Sequence, residues 1–147
     1  MTTTRRATAT WSGDLPTGNG TVTAATTGIF RDQPTTWAAR TAEPAGVTSP
    51  EELLAAAHAS CFSMACSNIL AKAGTPPTRL TVEVAITADR LEAGFTVTNA
   101  DIVVRGTVPG ASQESFAAAA AEAKDGCPIS RALKGNVAMT VEATLES

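Results

Sequence analysis

Residues 48–65, TSPEELLAAAHASCFSMA, decide the fold, because they begin a helix that is too apolar to lie on a protein surface. Ser49 stands where an N-cap is expected, and Pro50 occupies the first helical position. Glu52 takes the third position, from which its carboxylate can reach back to the amide of the cap and form a capping box. The sequence therefore predicts a well-defined helix start at residue 50.

The same helix continues to about residue 73, where Gly74 and the following Thr-Pro-Pro end it. Nearly every face is apolar between residues 53 and 73, and a helix of this kind is normally buried on all sides. A run of about 24 residues is roughly 36 Å long, which is long for a domain of this size. We therefore expect this helix to be fully buried and to cross a subunit interface.

The sequence on both sides of this helix follows the period of two that is typical of strands. Residues 7–11 and 21–23 flank a Gly-Asn-Gly turn and predict a threonine-rich hairpin, with a third short strand at residues 36–40. A stronger alternation predicts a second group of strands at residues 80–86, 95–104 and 137–145. We expect antiparallel sheets.

One further helix is indicated by five consecutive alanines, residues 117–121, between Ser112 and Gly126. No internal repeat or low-complexity linker divides the chain. Its 147 residues are close to the usual size of one domain, so the core needs no disulfide or metal for stability. We predict a single α+β domain that spans residues 1–147.

Composition argues against several classes of partner. Charged residues make up 17% of the chain and the net charge is −3, with arginine and lysine scattered, so no basic patch for nucleic acid is evident. The N-terminus lacks the apolar segment of a secretory signal, and no stretch offers about 20 consecutive apolar residues for a membrane span. We therefore expect a cytoplasmic protein, in which three cysteines favour catalysis, redox sensing or metal binding over a permanent cross-link.

The three cysteines have different local settings. Cys61 and Cys66 lie within the apolar helix, about 140° apart around its axis, so they cannot form a disulfide with each other. Each is most simply a small buried apolar residue. Cys127 lies between Gly126 and Pro128 at a predicted helix start, where free amides and the helix dipole favour the thiolate. From local chemistry alone, Cys127 is the more acidic thiol, and whether it meets Cys61 in the fold is open.

His58 gives rise to two other hypotheses. It lies three residues before Cys61, and with Cys66 and Cys127 it suggests a zinc site, but Cys66 points to a different face and no second close pair of ligands exists. His58 is also placed to act as a base for a hydrolytic cysteine, but the sequence shows no orienting third group or oxyanion donor. A histidine with a satisfied hydrogen bond, or one at an interface, is the simpler interpretation, and we expect no metal.

Four large side chains lie near these residues or in the strands. Phe62 and Met64 flank the helical cysteine and are candidates to line an apolar pocket for an alkyl group. Trp11 and Trp37 are predicted to pack within a sheet or at an interface.

Four features together resemble the OsmC/Ohr family of osmotically inducible and organic hydroperoxide resistance proteins, over essentially the whole chain. They are the stretch at residues 48–65, the Gly-Cys-Pro at 126–128 before a short helix, the W-x-G-D at 11–14, and an arginine before the first helix. The resemblance is stronger to the OsmC branch, which tends to have a histidine at the position of His58. It implies an α+β fold in which antiparallel sheets wrap around long central helices in an intertwined homodimer. It also implies a thiol peroxidase that reduces organic hydroperoxides, and hydrogen peroxide less well, without metal, haem or flavin.

The resemblance assigns four site residues. Cys61 corresponds to the cysteine that attacks the peroxide and Cys127 to the resolving cysteine, while Arg40 and Glu51 take the remaining roles. Arg40 would lower the pKa of Cys61 and hydrogen-bond the peroxide, and Glu51 would fix the guanidinium through two hydrogen bonds. The resulting sulfenic acid on Cys61 would condense with Cys127 to a disulfide, which an external dithiol reduces.

Helix geometry adds a prediction about assembly. Glu51 and Cys61 are ten residues apart, about 15 Å along a straight helix, so they cannot meet within one chain unless the helix breaks. We therefore predict a homodimer in which each site takes Cys61 and Cys127 from one chain and Arg40 and Glu51 from the other.

One alternative function remains open. A redox sensor or a thiol-binding module without enzymatic activity would use the same cysteine pair, with the disulfide as its signal. Sustained turnover with excess dithiol distinguishes the enzyme from the sensor, because a sensor consumes only one equivalent of hydroperoxide.

Overall fold

The computed structural model describes residues 1–147 and has α+β architecture, which confirms the predicted class. Its elements are β1 (Thr8–Ser12), β2 (Asn19–Thr23), β3 (Gln33–Thr35), α1 (Trp37–Thr41), α2 (Pro50–Lys72), β4 (Arg79–Leu91), β5 (Gly94–Thr107), α3 (Gln113–Gly126), α4 (Pro128–Leu133) and β6 (Ala138–Glu146). The chain divides into two compact units, Met1–Leu53 and Leu54–Ser147, and α2 begins in the first and continues into the second.

The first unit contains a three-stranded antiparallel sheet in the order β1-β2-β3. The predicted threonine-rich hairpin is confirmed, with Thr8 opposite Thr23 and Trp11 opposite Gly20. The strand predicted at residues 36–40 is wrong. The third strand lies earlier, and Thr36 caps α1 by accepting a hydrogen bond from the amide of Ala39 at 3.1 Å. Alanine and arginine are strong helix formers, and they follow a residue that caps well.

The second unit contains the sheet β4-β5-β6. The alternation that predicted β4 and β5 is confirmed, since the two strands pair antiparallel and direct Val84, Ile102 and Val104 into the core. The expectation of purely antiparallel sheets is wrong at β6, which pairs parallel to β5. The connection between them, residues 108–137, contains α3 and α4 and is long enough for the crossover that parallel strands need.

Helix α2 contributes a single stripe to the core of the second unit. Its fully buried side chains are His58, Phe62, Cys66 and Leu70, which recur every fourth residue. Phe62, Cys66 and Leu70 belong to the hydrophobic core with Ile102, Val104 and the apolar face of α3, while His58 is a buried polar residue. The expectation that α2 is buried on all sides is therefore wrong for the single chain, and Met64 is 65% exposed.

The starts of the helices largely follow the sequence. The hydroxyl of Ser49 accepts a hydrogen bond from the amide of Glu52 at 3.2 Å, as an N-cap should. The Glu52 carboxylate accepts a hydrogen bond from the Thr48 hydroxyl at 2.5 Å, so the predicted return contact to the cap amide is replaced. Helix α3 has a complete capping box, in which Ser112 and Ser115 each accept a hydrogen bond from the other's amide.

Length and composition would allow α2 to cross a membrane, because its 23 residues have a mean hydropathy of 1.4 over the most apolar 18-residue window. One such helix is weak evidence for a membrane span, because core helices of water-soluble proteins meet the same criteria; in this protein 22% of that window is buried.

Candidate active site

Cys61 and Cys127 meet in the second unit. Cys61 lies half-buried in the middle of α2, while Cys127 is fully buried between the end of α3 and the start of α4. Both are free thiols, and each shifts the pKa of the other, so they are neighbours in the fold. The question left open by their separation of 66 residues in the sequence is thus answered in the fold.

The environment shifts the pKa values of the two thiols in opposite directions. Burial raises the pKa of Cys61, and the neighbouring Cys127 adds to this, while the amide of Ile129 acts in the other direction. Burial also opposes ionisation of Cys127, but neighbouring polar groups outweigh it and lower the pKa of this thiol. They are the amide and hydroxyl of Ser130, the thiol of Cys61 and the amide of Ile129. Within one chain, Cys127 is therefore the thiol that ionises first.

Cys66 has no part in this pair. It is fully buried within the core stripe of α2, and burial raises its pKa to about 11. A thiol with that pKa is almost entirely protonated at neutral pH, which agrees with its predicted role as a small apolar residue.

Arg40 and Glu51 form a two-pronged ion pair in the first unit. The Nε of Arg40 donates to Oε1 and Oε2 of Glu51 at 3.1 and 3.2 Å, and its Nη2 donates to Oε1 at 2.5 Å. Burial opposes ionisation of Glu51, but the hydrogen bonds and charge of Arg40, with smaller contributions from the Glu51 amide and the Ser49 hydroxyl, outweigh it and lower the pKa of the carboxyl. The guanidinium carbon also lies 5.4 Å from the ring centroid of Trp37, a cation–π contact that helps to orient it.

A cavity of about 340 Å³ opens next to this ion pair within the first unit. Its walls are mainly apolar and include Trp11, Leu15 and Trp37, while Arg40 contributes the one charged group. The sequence predicted packing roles for both tryptophans and gave no sign of a cavity between them. Phe62 and Met64, the residues expected to line an apolar pocket, do not line this cavity: Phe62 is fully buried in the core of the second unit and Met64 is 65% exposed. The cavity can hold an apolar group next to a fixed guanidinium.

Comparison with known proteins decides the family. Residues 43–142 match the family model described as OsmC-like protein. The chain is 37% identical over 139 residues to the peroxiredoxin OsmC of Escherichia coli (strain K12), a match that covers 95% of this chain and 96% of that protein. The chain belongs to the OsmC family.

Two further relatives of this OsmC family member carry names that refer to organic hydroperoxides. Organic hydroperoxide resistance protein-like 2 of Staphylococcus epidermidis is 32% identical over 103 residues, 67% of this chain and 69% of that protein. The crystal structure of the organic hydroperoxide resistance protein OhrB of Bacillus subtilis superposes with a TM-score of 0.74 at 25% identity, over 95% of this chain and 98% of that one.

The structure of this OsmC family member therefore brings the four predicted site residues together as two pairs. Cys61 meets Cys127 in the second unit, and Arg40 binds Glu51 in the first. No group of three or more histidine, cysteine, aspartate or glutamate side chains among residues 1–147 is arranged to hold a metal ion.

Sequence reasoning missed a polar pair next to the cysteines. The Nε2 of His58 lies 2.7 Å from the hydroxyl of Ser130, and both side chains are buried. Ser130 is in the first turn of α4, 72 residues from its partner, so no local pattern could have predicted the contact. A histidine in the middle of an apolar helix is the one signal that a polar partner should exist.

Proposed function

We propose that this OsmC family member is a thiol-dependent peroxidase that reduces organic hydroperoxides, and hydrogen peroxide less well, with Cys61 as the attacking and Cys127 as the resolving thiol. The observation that carries this proposal is the proximity of two free thiols that act on each other's pKa, raising that of Cys61 and lowering that of Cys127. Two thiols in contact can be oxidised to a disulfide without a large movement of the chain.

The reaction begins with attack of the Cys61 thiolate on one peroxide oxygen. The O–O bond breaks, and the other oxygen leaves as the alcohol after it takes up a proton, so that Cys61 becomes a sulfenic acid. The Cys127 thiolate then attacks the sulfur of Cys61, the S–O bond breaks, and hydroxide leaves as water on protonation. An external dithiol supplies the two electrons that restore both thiols.

Arg40 and Glu51 supply what Cys61 lacks within its own unit. Burial raises the pKa of Cys61, so a cation must be brought to it before it can react well at neutral pH. The guanidinium of Arg40 is held by two prongs, has a fixed direction, and is suited to hydrogen-bond a peroxide while it stabilises the thiolate. The cavity next to Arg40 would take the alkyl group of the substrate.

We assign the two pairs of one site to different chains of a homodimer. Helix α2 is continuous from Pro50 to Lys72, so Glu51 and Cys61 stay about 15 Å apart along it. The helix is apolar on faces that a single chain leaves open, with Met64 65% exposed, and a second copy of α2 would cover them. This supports two long helices that pack against each other between shared sites.

A mixture of two impaired variants, one of them inactive, tests the shared site. Glu51→Gln lacks the carboxylate and Cys61→Ser lacks the attacking thiol, but a hybrid dimer of the two contains one site with both wild-type residues. If sites are shared, a 1:1 mixture after subunit exchange should recover about a quarter of the wild-type rate. A mixture that shows only the sum of its components, or a monomer by light scattering with full activity, would contradict the proposal.

Turnover separates the enzyme from a redox sensor. Purified protein with excess dithiol should consume many equivalents of cumene hydroperoxide, and Cys61→Ser should abolish this consumption. Cys66→Ala is the matched control on the same helix, since its thiol is buried away from the pair, and should retain turnover. Consumption of a single equivalent by the wild type would favour the sensor.

Two broader proposals accompany this function. We treat residues 1–147 as one OsmC-like domain, supported by a family match that extends across the division between the two compact units. We place the protein in the cytoplasm, where reducing conditions keep three free cysteines available and supply dithiols.

A further inference from the structure

The pair of His58 and Ser130 is a polar island in the core of the second unit. His58 is fully buried on α2, and Ser130 is 1% exposed on α4. Their side chains are 2.7 Å apart, within the range of a good hydrogen bond. Buried polar groups destabilise a core unless they are satisfied, so a polar pair at this position calls for a reason.

Ser130 connects this pair to the cysteines. It lies three residues after Cys127, in the first turn of the short helix that Cys127 precedes. Cys127 and Ser130 occupy the N-cap and the third position of this helix, where side chains lie next to each other. The amide and hydroxyl of Ser130 and the thiol of Cys61 all lower the pKa of Cys127. Ser130 therefore lies between His58, which it contacts at 2.7 Å, and the pair of thiols.

The tautomer of His58 sets the direction of its hydrogen bond with Ser130. The Nδ1 atom is buried and has no hydrogen-bond partner, so a proton there would be an unsatisfied donor. Burial lowers the pKa of His58, which keeps the ring neutral with one proton. A neutral ring with its proton on Nε2 donates to the Ser130 oxygen, and the Ser130 hydroxyl is then directed to donate to sulfur.

We propose that His58 is a positioning residue for the resolving step, acting through Ser130 to orient the Cys127 sulfur and stabilise it as a thiolate. The inference rests on the proposed function and deepens it, because it concerns only the second of the two thiols. In that step the Cys127 thiolate forms the S–S bond as the S–O bond of the Cys61 sulfenic acid breaks. The leaving hydroxide takes up one solvent proton and becomes water, so His58 neither gains nor loses a proton.

Few titratable groups act on Cys127. From α2 it faces Cys61 directly and His58 through Ser130, and no charged side chain of α3 or α4 contributes to the shift of its pKa. Substitution of Cys61 and of His58, one at a time, separates their effects on Cys127. Because His58 is the single histidine of the chain, its NMR signals are also unambiguous.

The first test needs no peroxide. A variant with Cys61→Ser and Cys66→Ser keeps Cys127 as its one thiol, whose ionisation is followed by thiolate absorbance near 240 nm. Adding His58→Leu or Ser130→Ala should move the midpoint of this titration to higher pH. His58→Gln, whose amide can donate from nearly the position of Nε2, should leave the midpoint close to that of the background. Circular dichroism checks that each variant is folded.

The second test separates the two chemical steps in single turnovers with one equivalent of cumene hydroperoxide. Relative to the wild type, His58→Leu should lose about tenfold in the rate of disulfide formation at neutral pH, the upper end of the effect of one hydrogen bond between neutral groups, and far less in peroxide consumption. Sulfenic acid trapped by dimedone should accumulate, and His58→Gln should restore the disulfide rate.

Three results would overturn the inference. The first is that the midpoint of the Cys127 titration does not change in His58→Leu. The second is that disulfide formation in His58→Gln is as slow as in His58→Leu. The third is that ¹⁵N NMR shows the proton of the single histidine on Nδ1. Failure of the wild type to consume peroxide would refute the proposed function instead, and the titration and the NMR spectrum would still decide the role of His58.

Discussion

Replacement of Glu51 by glutamine should slow the reaction with peroxide by about 30-fold. Three contacts join Arg40 to this carboxylate, at 3.1, 3.2 and 2.5 Å, and the amide can preserve those to only one oxygen. It also places an NH₂ group opposite a guanidinium donor. A hydrogen bond to a charged group contributes about 1.5–3 kcal/mol, and a loss of about 2 kcal/mol in the orientation of Arg40 corresponds to about 30-fold in rate.

The assay is the second-order rate constant for loss of cumene hydroperoxide, measured by stopped flow with excess protein so that the recycling dithiol does not enter. The free energy of unfolding should fall by no more than about 1 kcal/mol, because the Arg40 side chain is 29% exposed and the pair is partly screened by water. A large kinetic loss with a small loss of stability is the signature of a residue that orients a catalytic group.

The matched control is Glu52→Gln, one residue further along the same helix turn. Its carboxylate is exposed and accepts a hydrogen bond from Thr48 rather than from Arg40, so the rate should stay within twofold of the wild type. If Glu51→Gln reacts as fast as the wild type, or if both variants are slowed equally, the ion pair does not position Arg40 for the reaction.

Three further predictions follow from the same structure. Cys127→Ser should react once with peroxide and then accumulate sulfenic or overoxidised Cys61, which intact mass would reveal, and a normal disulfide in that variant would refute the resolving role. Phe62→Ala should cost about 3–5 kcal/mol in urea unfolding, since the ring is fully buried in the core, whereas Met64→Ala should cost much less in a monomeric state. The stability difference between wild type and Glu51→Gln should be constant above the ordinary pKa of glutamate and vanish as the pH falls through the lowered pKa of Glu51; a difference that persists at the lowest pH would contradict the ionic origin.

The sequence was sufficient for those parts of the fold that depend on local patterns. The N-cap at Ser49, the period of two in β4 and the helix between Ser112 and Gly126 are properties of neighbouring residues, and the structure has all three. The contact between Cys61 and Cys127 depends on how α2 packs against the start of α4. Periodicity does not determine that arrangement, so the family resemblance was needed to predict it.

The wrong predictions about the fold have a common physical origin. Each concerns a competition between two structures that a local sequence pattern does not decide. Residues 36–40 alternate like a strand, but the cap at Thr36 and the helix propensity of the residues after it prevail. The parallel pairing of β6 follows from a long helical connection rather than from its own alternation. The full burial expected of α2 was inferred from apolarity on every face, whereas one chain offers a core for one stripe only.

That last error bears on the chemistry. A helix that is apolar all round yet buried on one stripe has faces that a partner would cover, and the same helix places Glu51 about 15 Å from Cys61. Within its own unit, Cys61 has a raised pKa and Cys127 a lowered one, the reverse of what attack by Cys61 requires. A partner that brings Arg40 to Cys61 would remove that contradiction and cover the open faces of α2 in the same event. Cys61 would then react before Cys127 only in the dimer. Dissociation into monomers should suppress attack of Cys61 on the peroxide, while Cys127 keeps its lowered pKa.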